Sequence, residues 1–501
     1  MAEPLILGID VGTASSKGVL ATPDGTVVAS AQRPHEVEQP LPGQFEQDAD
    51  AIWWGDTVWL ARKLLAGITA GRLCGVCVSG LGPSVVLCDA AQRPLRPAIL
   101  YGIDTRAQAE IEELDALLGR DAILARGGSA LSSQALGPKL LWLRRNDPDA
   151  WERMARWHTT SSFLVARLTG ESVLDHHSAS QCDPLYDMTA AAWATDWAAD
   201  VVPGLDLPRL AWSNEIAGRV HGAGAAATGI PEGTPVVAGT IDAWAEALSA
   251  GVRDPGDTML MYGTTMFMVE IARAFRPEAS LWTTQGVFEG TCTYAAGLST
   301  SGGLTVWLRD IVGREFEALI AEAALTPAGA DGLVVLPFFG VARSPIFDPL
   351  ARGGIFGLTL RHGRGHLYRG LLEGTAYEVR HNLEVMEAAG AAPEQLTAVG
   401  GGTKSGLWTQ VVSDVTGLRQ VIPAVTIGAS YGDAMLAGDG VGLVAADARW
   451  NAPAETLTPD DRAGARYDEL YRVYRSLDPA PREQAHALAR VQEETSEAAS
   501  G

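Results

Sequence analysis

The sequence predicts an α/β fold in which strands alternate with helices and the chain consists of two similarly built halves. A strand, a turn rich in Gly, Ser and Thr, and a second strand open the chain over 5–21. The same order of strand, Gly/Thr turn and strand returns over 257–271. Runs with helical periodicity separate the strand-like runs in both halves. A chain of 501 residues is long enough for two large domains.

The first half opens on three strands joined by short turns. Apolar runs of strand length flank the polar turn 10–17, and Pro23-Asp24-Gly25 makes the next turn. Farther on, helical periodicity alternates with short apolar runs. The expected strands are 5–9, 18–21, 26–31, 74–80 and 85–89, and a helix is expected over 51–70. Residues 105–119 and 139–168 are expected to be mostly helical, and 171–200 is expected to be a loop with short helices.

The second half repeats this alternation from residue 231, where a turn and a strand cover 231–239. The expected strands are 257–262, 266–271, 333–340 and 396–402, and the expected helices are 243–250, 366–389, 405–416 and 429–437. We therefore predict an N-terminal domain over 1–243, a C-terminal domain over 244–480 and a frayed tail over 481–501.

Composition restricts the partners. The chain carries 38 basic and 60 acidic residues, a formal net charge of −22, which argues against nucleic acid or an anionic membrane as the main partner. The sequence has no long apolar run and its first residues do not resemble a signal peptide. Five cysteines are sparse for this length and predict reduced thiols in a cytoplasmic protein. Cys74 and Cys77 lack a second pair, so they are interpreted as strand thiols rather than a metal site.

The turn after the first strand has the chemistry of a phosphate site. The strand ends in a carboxylate, Asp10, and exposed backbone N–H groups with hydroxyls can cradle phosphate oxygens. Lys17 adds a positive charge, and Asp10 can hold Mg²⁺ through water. The Walker A spacing is absent, and a surface hairpin turn is the alternative. The phosphate-binding residues predicted in this turn are Gly12, Thr13, Ser15 and Lys17.

Three later turns carry related features. Gly263, Thr264 and Thr265 join two strands, which suits either a phosphate or an ordinary hairpin. Gly400-Gly401-Gly402 lies between a strand and a helix, where glycines permit close approach of a ligand but where a plain turn is the alternative. Asp242 follows an apolar strand and opens a helix, as either an N-cap or a general base.

Together and in this order, these turns resemble those of the FGGY family of carbohydrate kinases, and the resemblance covers most of the chain. Gly370 and Leu371 depart from the family's second signature. The segments that carry the resemblance are GIDVGTASSKGVL (8–20), FEQDADAIWW (45–54), RPAILY (96–101), PKLLW (138–142), GGIFGLTLRHGRGHLYRGLLEG (353–374) and VGGGTKSGLW (399–408).

The resemblance implies two actin-like (ribonuclease H-like) domains with a central cleft in which ATP and a sugar or polyol meet, and it implies a homodimer. It implies Asp10 as the Mg²⁺ ligand and Asp242 as the base that takes the proton of the attacking hydroxyl. Gly12, Thr13, Ser15, Lys17, Gly263, Thr264 and Thr265 would contact phosphates, and Gly401 and Gly402 would flank the adenosine.

The sugar side departs from the family pattern. Xylulokinases have a Gly-Gln-Met-His-Gly loop where this chain has Gly80-Leu81-Gly82-Pro83-Ser84, without the histidine. Their WNDxR segment aligns with 101–106 here, with one extra residue, and the acid of a later loop is Ala342. We predict substrate contacts at Gly82, Pro83, Asp104, Arg106 and Asp242, while an Asp104–Arg106 surface bridge stays open as the alternative.

These observations favour an ATP-dependent kinase of a ketopentose such as xylulose. A kinase of a polyol such as erythritol, ribitol or glycerol is one alternative. A catalytically weak sugar- or nucleotide-sensing protein on the same scaffold is another, suggested by the altered sugar loop. His176 and His177 are expected on a loop near the sugar pocket rather than as a metal site, because nothing there has zinc spacing.

Overall fold

The computed structural model describes residues 3–391, 393–477 and 482–500. The strands are β1 Leu5–Val11, β2 Ser15–Ala21, β3 Val27–Pro34, β4 Glu46–Gln47, β5 Leu73–Gly80, β6 Val86–Cys88, β7 Ala98–Ile99, β8 Arg156–His158, β9 Val173–Asp175, β10 Tyr186–Asp187, β11 Ala192–Trp193, β12 Arg209–Ala211, β13 Ile216–Arg219, β14 Pro235–Val237, β15 Thr240–Ile241, β16 Thr258–Tyr262, β17 Met266–Ala272, β18 Trp282–Gln285, β19 Cys292–Leu298, β20 Val334–Leu336, β21 Gly354–Phe356, β22 Gln395–Val399, β23 Arg419–Pro423 and β24 Pro453–Leu457.

The helices alternate with these strands. They are α1 Gly55–Leu65, α2 Gln108–Leu114, α3 Arg120–Gly127, α4 Leu136–Asn146, α5 Pro148–Arg153, α6 Thr160–Thr169, α7 His176–Ala179, α8 Thr195–Val201, α9 Gly222–Thr228, α10 Asp242–Ser249, α11 Gly302–Val312, α12 Phe316–Ala324, α13 Arg364–Ala388, α14 Gly406–Thr416, α15 Ala429–Gly440, α16 Asp461–Leu477 and α17 Arg482–Ser500.

By its internal contacts the chain divides into two units. The first contains the chain up to Arg253 together with Ala272–Thr293 and Ile427–Ala452. The second contains Asp254–Ile271, Tyr294–Thr426 and the chain from Pro453. The predicted boundary between 243 and 244 stays a prediction. Of the predicted tail, 482–500 form α17, and residues 481 and 501 lie outside the described residues.

The sheet of the first unit has the strand order β13-β14-β5-β1-β2-β3. β1 pairs antiparallel with β2 and parallel with β5, and every residue of β1 is buried. Strand β15 also runs parallel to β5, next to its carboxyl end. This register places Asp10 opposite Lys17 on one side and Ser79 on the other. The carboxyl ends of β1, β5 and β15 therefore meet at one edge, where open α/β sheets bind ligands.

The sheet of the second unit has the order β19-β17-β16-β22-β23-β24. β16 pairs antiparallel with β17 and parallel with β22, which is in turn parallel to β23. Strand β16 thus occupies the same topological place as β1 in the first unit. This equivalence confirms the expectation of two similarly built halves.

Helix α15 packs closely against the central strand of the first unit. A Cβ at Gly8 would lie 2.1 Å from the carbonyl oxygen of Ser430, and a Cβ at Gly432 would lie 1.9 Å from that of Ala245. Glycine at these two positions lets the α15 backbone lie directly against β1 and α10. The helix thereby brings Asp433 to the carboxyl edge of the sheet.

Proline shapes two of the expected elements. Residues 139–168 are mostly helical, as expected, and contain α4, α5 and α6 with strand β8 before α6. The break between α4 and α5 falls at Asp147, which precedes Pro148 and leaves the helical region at φ −136°. The strand expected over 333–340 ends at Leu336, directly before Pro337, which has no N–H to donate.

Among the described residues, no helix combines the length and the apolar character that crossing a bilayer requires.

Lys139 lies on α4 inside the PKLLW segment and is only 1% exposed. Its Nζ donates to the carbonyl oxygens of Leu100 at 2.6 Å and Tyr101 at 2.7 Å. Burial lowers the pKa of Lys139 to about 7, although Asp104 acts in the opposite direction. The lysine therefore fixes the chain just after β7.

Replacing Lys139 with Met is expected to lower the free energy of unfolding by about 1–3 kcal/mol, because two buried carbonyls lose their donor. The loss should grow from pH 6.5 to pH 9. Between pH 7 and 10.5 this lysine is protonated in the unfolded chain but neutral in the fold. The free energy of unfolding of the wild type therefore rises with pH in this interval, and that of the variant lacks this rise. Urea unfolding at both pH values measures this.

Lys63, which is exposed on α1, supplies the control. Its replacement with Met is expected to change stability by less than about 0.5 kcal/mol. Equal losses for the two variants would contradict the structural role of Lys139.

Candidate active site

The first predicted phosphate turn joins β1 and β2 in a tight hairpin. Its carbonyl oxygens are bonded within the protein: His35 Nε2 lies 2.9 Å from the oxygen of Gly12, and Gln47 Nε2 donates to the oxygen of Thr13 at 3.1 Å. Within the described part of the chain, the amides of Thr13 and Ala14 bond to no protein acceptor. These N–H groups are therefore available to an anion, as a phosphate-binding turn requires.

Four acidic side chains gather at the carboxyl edge of this sheet. Asp10 ends β1, Asp242 and Glu246 lie on the first turns of α10, and Asp433 lies on α15. Burial, and next the negative charge of Asp242, raise the pKa of Asp10 to about 8. Lys17 opposes this shift. Four acidic groups thus share this edge with one lysine, and a bound cation would relieve the mutual repulsion that raises the pKa of Asp10.

Asp242 is the first residue of α10, and Ile241 occupies the N-cap position. The Asp242 carboxylate accepts a hydrogen bond from the amide of Ala243 at 2.7 Å. Burial raises the pKa of Asp242 to about 6, with Glu246 adding to the shift and the bond from Ala243 and the charge of Lys17 opposing it. A carboxylate tuned towards neutral pH, at the open end of a sheet, suits a general base.

Ser79 connects two of the acids. Its Oγ donates to Asp433 Oδ2 at 2.7 Å and lies 3.3 Å from Asp10 Oδ1. Cys77 Sγ lies 3.5 Å from the other oxygen of Asp433. Burial and the nearby charge of Asp10 raise the pKa of Asp433 well above its ordinary value. Sequence reasoning missed Asp433 and Ser79.

The altered sugar loop lies beside the predicted base. A Cβ at Gly82 would lie 2.8 Å from Cγ1 of Ile241, the residue before Asp242. Ser84 Oγ lies 2.7 Å from Thr160 Oγ1, which fixes the end of the loop. The structure therefore brings the predicted substrate residues Gly82 and Pro83 next to the start of α10.

Asp104 and Arg106 pair with each other, and the pair is buried rather than on the surface. Arg106 Nη2 donates to Asp104 Oδ2 at 2.7 Å and Nη1 donates to Glu46 at 2.7 Å, and the two side chains are 1% and 0% exposed. Asp104 also accepts from the amide of Phe45. The pairing agrees with the alternative left open by the sequence, but its burial excludes the surface location which that alternative assumed. With these donors and acceptors engaged, the pair orders the segment that follows β7.

His176 and His177 lie on the short helix α7 and not on a loop. His177 Nδ1 lies 2.8 Å from the oxygen of Gln285, and His176 Nδ1 lies 2.7 Å from the hydroxyl of Tyr186. Burial lowers the pKa of both imidazoles. Each imidazole thus contacts another residue through its Nδ1.

In the second unit, the two predicted nucleotide turns lie side by side. The turn Gly263–Thr265 follows β16, and its carbonyls accept from the amides at the start of α11, with Gly302 N to Gly263 O at 3.0 Å. Gly400 follows β22, has φ +93°, and would place a Cβ 2.6 Å from the oxygen of Tyr262. Around Gly401, by contrast, no atom lies within 4 Å of a Cβ position. The structure thus brings the two turns together and leaves Gly401 room for a ligand.

The carboxyl edge of the first sheet offers carboxylates to Mg²⁺ one at a time rather than as a cage. Within the described residues, no three His, Cys, Asp or Glu side chains are grouped closely enough to enclose a metal ion. Mg²⁺ in phosphoryl-transfer sites needs only one or two carboxylates, with waters and phosphate oxygens as its other ligands. Asp10, a carboxylate in an acidic surrounding, fits that requirement.

Comparison with known proteins agrees with these features. Residues 5–249 match the model of the FGGY family of carbohydrate kinases, N-terminal domain, and 258–439 match that of its C-terminal domain. The xylulose kinase of Escherichia coli (strain K12) is 29% identical over 425 residues, 82% of this chain and 85% of that protein. The glycerol kinase of Nocardia farcinica (strain IFM 10152) is 30% identical over 493 residues, 91% of this chain and 96% of that protein.

A solved structure shows the same fold. The crystal structure of xylulose kinase from Rhodospirillum rubrum superposes with a TM-score of 0.90 at 31% identity, covering 96% of this chain and 100% of that one. The two units therefore have the actin-like fold, each built on a mixed sheet flanked by helices. This protein belongs to the FGGY family of carbohydrate kinases and is a sugar or polyol phosphotransferase.

Proposed function

We propose that the protein transfers the γ-phosphoryl group of ATP to a hydroxyl of a ketopentose such as xylulose. The observation that carries this proposal is the meeting of Asp242, Asp10 and Lys17 at the carboxyl edge of one sheet. A base, a cation ligand and a positive charge at one place are the parts that phosphoryl transfer to an alcohol needs. The similarity to xylulose kinases supports the ketopentose.

In the proposed step, Asp242 accepts the proton of the acceptor hydroxyl as its oxygen forms a bond to the γ-phosphorus. The bond between that phosphorus and the β,γ-bridging oxygen breaks, and ADP leaves with the electron pair. Lys17 and the amides of Thr13 and Ala14 would hold the phosphate oxygens. Gly263, Thr264 and Thr265 would hold phosphates in the second unit, with Gly401 and Gly402 beside the adenosine.

Asp10 would hold Mg²⁺, directly or through water. When bound, Mg²⁺ neutralises charge on the phosphates. Asp104 and Arg106, with their buried pairing, order the substrate loop in this proposal rather than contact the acceptor. In this proposal Gly82 and Pro83, which lack the histidine of the xylulokinase loop, contact the acceptor beside the start of α10.

The test is release of ADP from Mg-ATP with D-xylulose, L- and D-ribulose, ribitol, xylitol, erythritol, glycerol and gluconate. We expect release that depends on the acceptor and is fastest with a ketopentose. Faster turnover of glycerol, ribitol or erythritol would identify a polyol, and not a ketopentose, as the acceptor. That result would agree with the similarity to a glycerol kinase. Binding of ATP and of an acceptor without turnover would contradict the kinase and favour the sensor.

A further inference from the structure

His35 follows β3 and lies directly behind the turn between β1 and β2, where the proposed function assigns it no part. Its Nε2 lies 2.9 Å from the carbonyl oxygen of Gly12, and its Nδ1 lies 2.8 Å from Asp56 Oδ2. Its amide also donates to the oxygen of Ala14 at 3.0 Å. The side chains of His35 and Asp56 are only 6% and 3% exposed, so water competes little for the two ring contacts.

Both ring nitrogens of His35 face groups that accept hydrogen bonds. The oxygen of Gly12 is a carbonyl and can only accept. Asp56 is held as a carboxylate, since Ser16 Oγ donates to its Oδ2 at 2.8 Å and Arg33 Nε lies 3.2 Å from its Oδ1. A neutral imidazole has one N–H and one lone pair, so it would place the lone pair against one of the two oxygens. The geometry therefore fits an imidazolium, which donates on both sides.

The surroundings of His35 favour this charged form. Burial acts to lower the pKa of His35, but the bonds to Asp56 and Gly12 and the charge of Asp56 outweigh it and raise the pKa above its ordinary value of 6.5. Among the described residues, the charged side chains bonded in this cluster are Asp56 on α1 and Arg33 on β3, while the turn contributes neutral groups. Two cations and one anion leave a net positive charge behind the turn.

The bond to Gly12 determines where the following amide points. The carbonyl of Gly12 and the N–H of Thr13 belong to one planar trans peptide group, so the oxygen and the hydrogen point in opposite directions. With the oxygen at His35, the Thr13 N–H points away from the histidine, and no acceptor in the described chain bonds to it. A hydrogen bond to the carbonyl also polarises the peptide group and strengthens its N–H as a donor.

The next peptide group of the turn is held in the same way by a neutral residue. Gln47 Nε2 donates to the oxygen of Thr13 at 3.1 Å, which orients the N–H of Ala14. Gln47 is fully buried, and its Oε1 accepts from Trp53 Nε1 at 2.9 Å. Of the two side chains that hold these successive peptide groups, only that of His35 can carry a positive charge.

From these contacts we infer that His35 is a positioning residue for the nucleotide, which as an imidazolium fixes the peptide group between Gly12 and Thr13 and adds positive charge near the bound phosphates. This inference rests on the proposed function, in which the turn binds phosphate oxygens. Loss of the ring proton removes either the bond to Gly12 or the bond to Asp56. Nucleotide affinity should therefore fall as rising pH deprotonates His35.

The test measures the Kd of AMP-PNP with Mg²⁺ by calorimetry for wild type and His35→Gln, at pH 6 and pH 9. At pH 6 we expect the neutral variant to bind about five- to tenfold more weakly, the size of one net hydrogen bond. At pH 9 the wild type has lost its imidazolium, so the two Kd values should differ by less than about twofold. Effects of pH on the nucleotide, on Mg²⁺ or on Asp10 act on both proteins and cancel in the ratio.

Arg33→Gln is the matched control, because it removes a positive charge from the same carboxylate and leaves the bond to Gly12 in place. The Arg33 side chain is 43% exposed and its Nη1 donates to the oxygen of Gly55. This variant should change the Kd by less than about twofold at either pH. Asp56→Asn keeps the ring of His35 but removes the carboxylate that keeps it charged. It should weaken binding at pH 6 as His35→Gln does, and it replaces that variant if His35→Gln does not fold.

Steady-state kinetics separate positioning of the nucleotide from a general loss of structure. KM for ATP should rise about five- to tenfold in His35→Gln at pH 6. KM for the acceptor should change less than about twofold, because the bonds of His35 go to the phosphate turn and to Asp56. An equal rise of both KM values would indicate a general loss of structure and overturn the inference.

Equal Kd values of wild type and His35→Gln at pH 6 would overturn the inference, and so would a difference that is as large at pH 9, because the charge would then play no part. An equal loss in Arg33→Gln would overturn it, as would failure of the wild type to bind AMP-PNP. Affinity that depends on His35 and on pH, without ADP release with any acceptor, would support the inference and contradict the proposed kinase reaction.

Discussion

Asparagine at position 242 is expected to lower kcat by about 10²- to 10⁴-fold, the usual contribution of a positioned base. The amide has the size of the carboxylate and can accept the bond from Ala243, but it cannot take a proton from the acceptor. Acceptor-dependent ADP release measures the loss. KM for the acceptor should change much less, because the side chain keeps its shape and its place on α10.

The pH dependence of the wild type gives a second readout of the same group. Burial raises the pKa of Asp242 to about 6, and a base acts only when deprotonated. The wild-type kcat/KM should therefore fall about tenfold per pH unit below pH 6. Glu246→Gln, which removes the same charge one turn later on α10, should cost much less activity. Equal losses for both variants would indicate a charge effect and contradict the role of Asp242 as base.

Asp10→Asn is expected to lower kcat/KM by about 10²- to 10³-fold. A neutral amide would hold Mg²⁺ less well than a carboxylate, and Mg²⁺ stabilises the charge that develops during phosphoryl transfer. ADP release across a range of Mg²⁺ concentrations measures this. The variant should need a higher concentration for half-maximal activity. An unchanged Mg²⁺ requirement would contradict the assignment of Asp10.

Stability should change in the opposite direction. Asp10 has a pKa of about 8 in the fold, against an ordinary value of 3.8. Between these values the metal-free fold holds a proton that the unfolded chain has released, so the free energy of unfolding falls as pH rises from 4 to 8. Asparagine removes this contribution. In EDTA the variant should gain stability relative to wild type between pH 5.5 and 8.5, as urea unfolding can measure.

Much of the site could be predicted because its parts are contiguous in sequence. The hairpin with Asp10 and Lys17, the turn at Gly263 and the glycines from 400 to 402 each lie in one short segment with recognisable turn chemistry. Each was found at the carboxyl end of a strand. Local chemistry and strand order together therefore indicated where the turns of the proposed phosphate sites lie.

The missed residues come from segments far apart in the chain. The bond between Ser79 and Asp433 spans 354 positions, and neither residue lies in a motif that marks it. The pairing of Asp104 with Arg106 was considered, but its burial depends on Glu46 and Phe45 from another segment. Such partners become visible only when the chain is folded.

The position of α15 in the chain has a consequence for biosynthesis. The first unit includes Ile427–Ala452, so the second-unit segments Asp254–Ile271 and Tyr294–Thr426 must be translated before the first unit can close. Until then the face of β1 at Gly8 is uncovered and Asp433 is missing from the acids near Asp10. A nascent chain that has not reached Asp433 therefore lacks one of the four acids at the carboxyl edge of the first sheet.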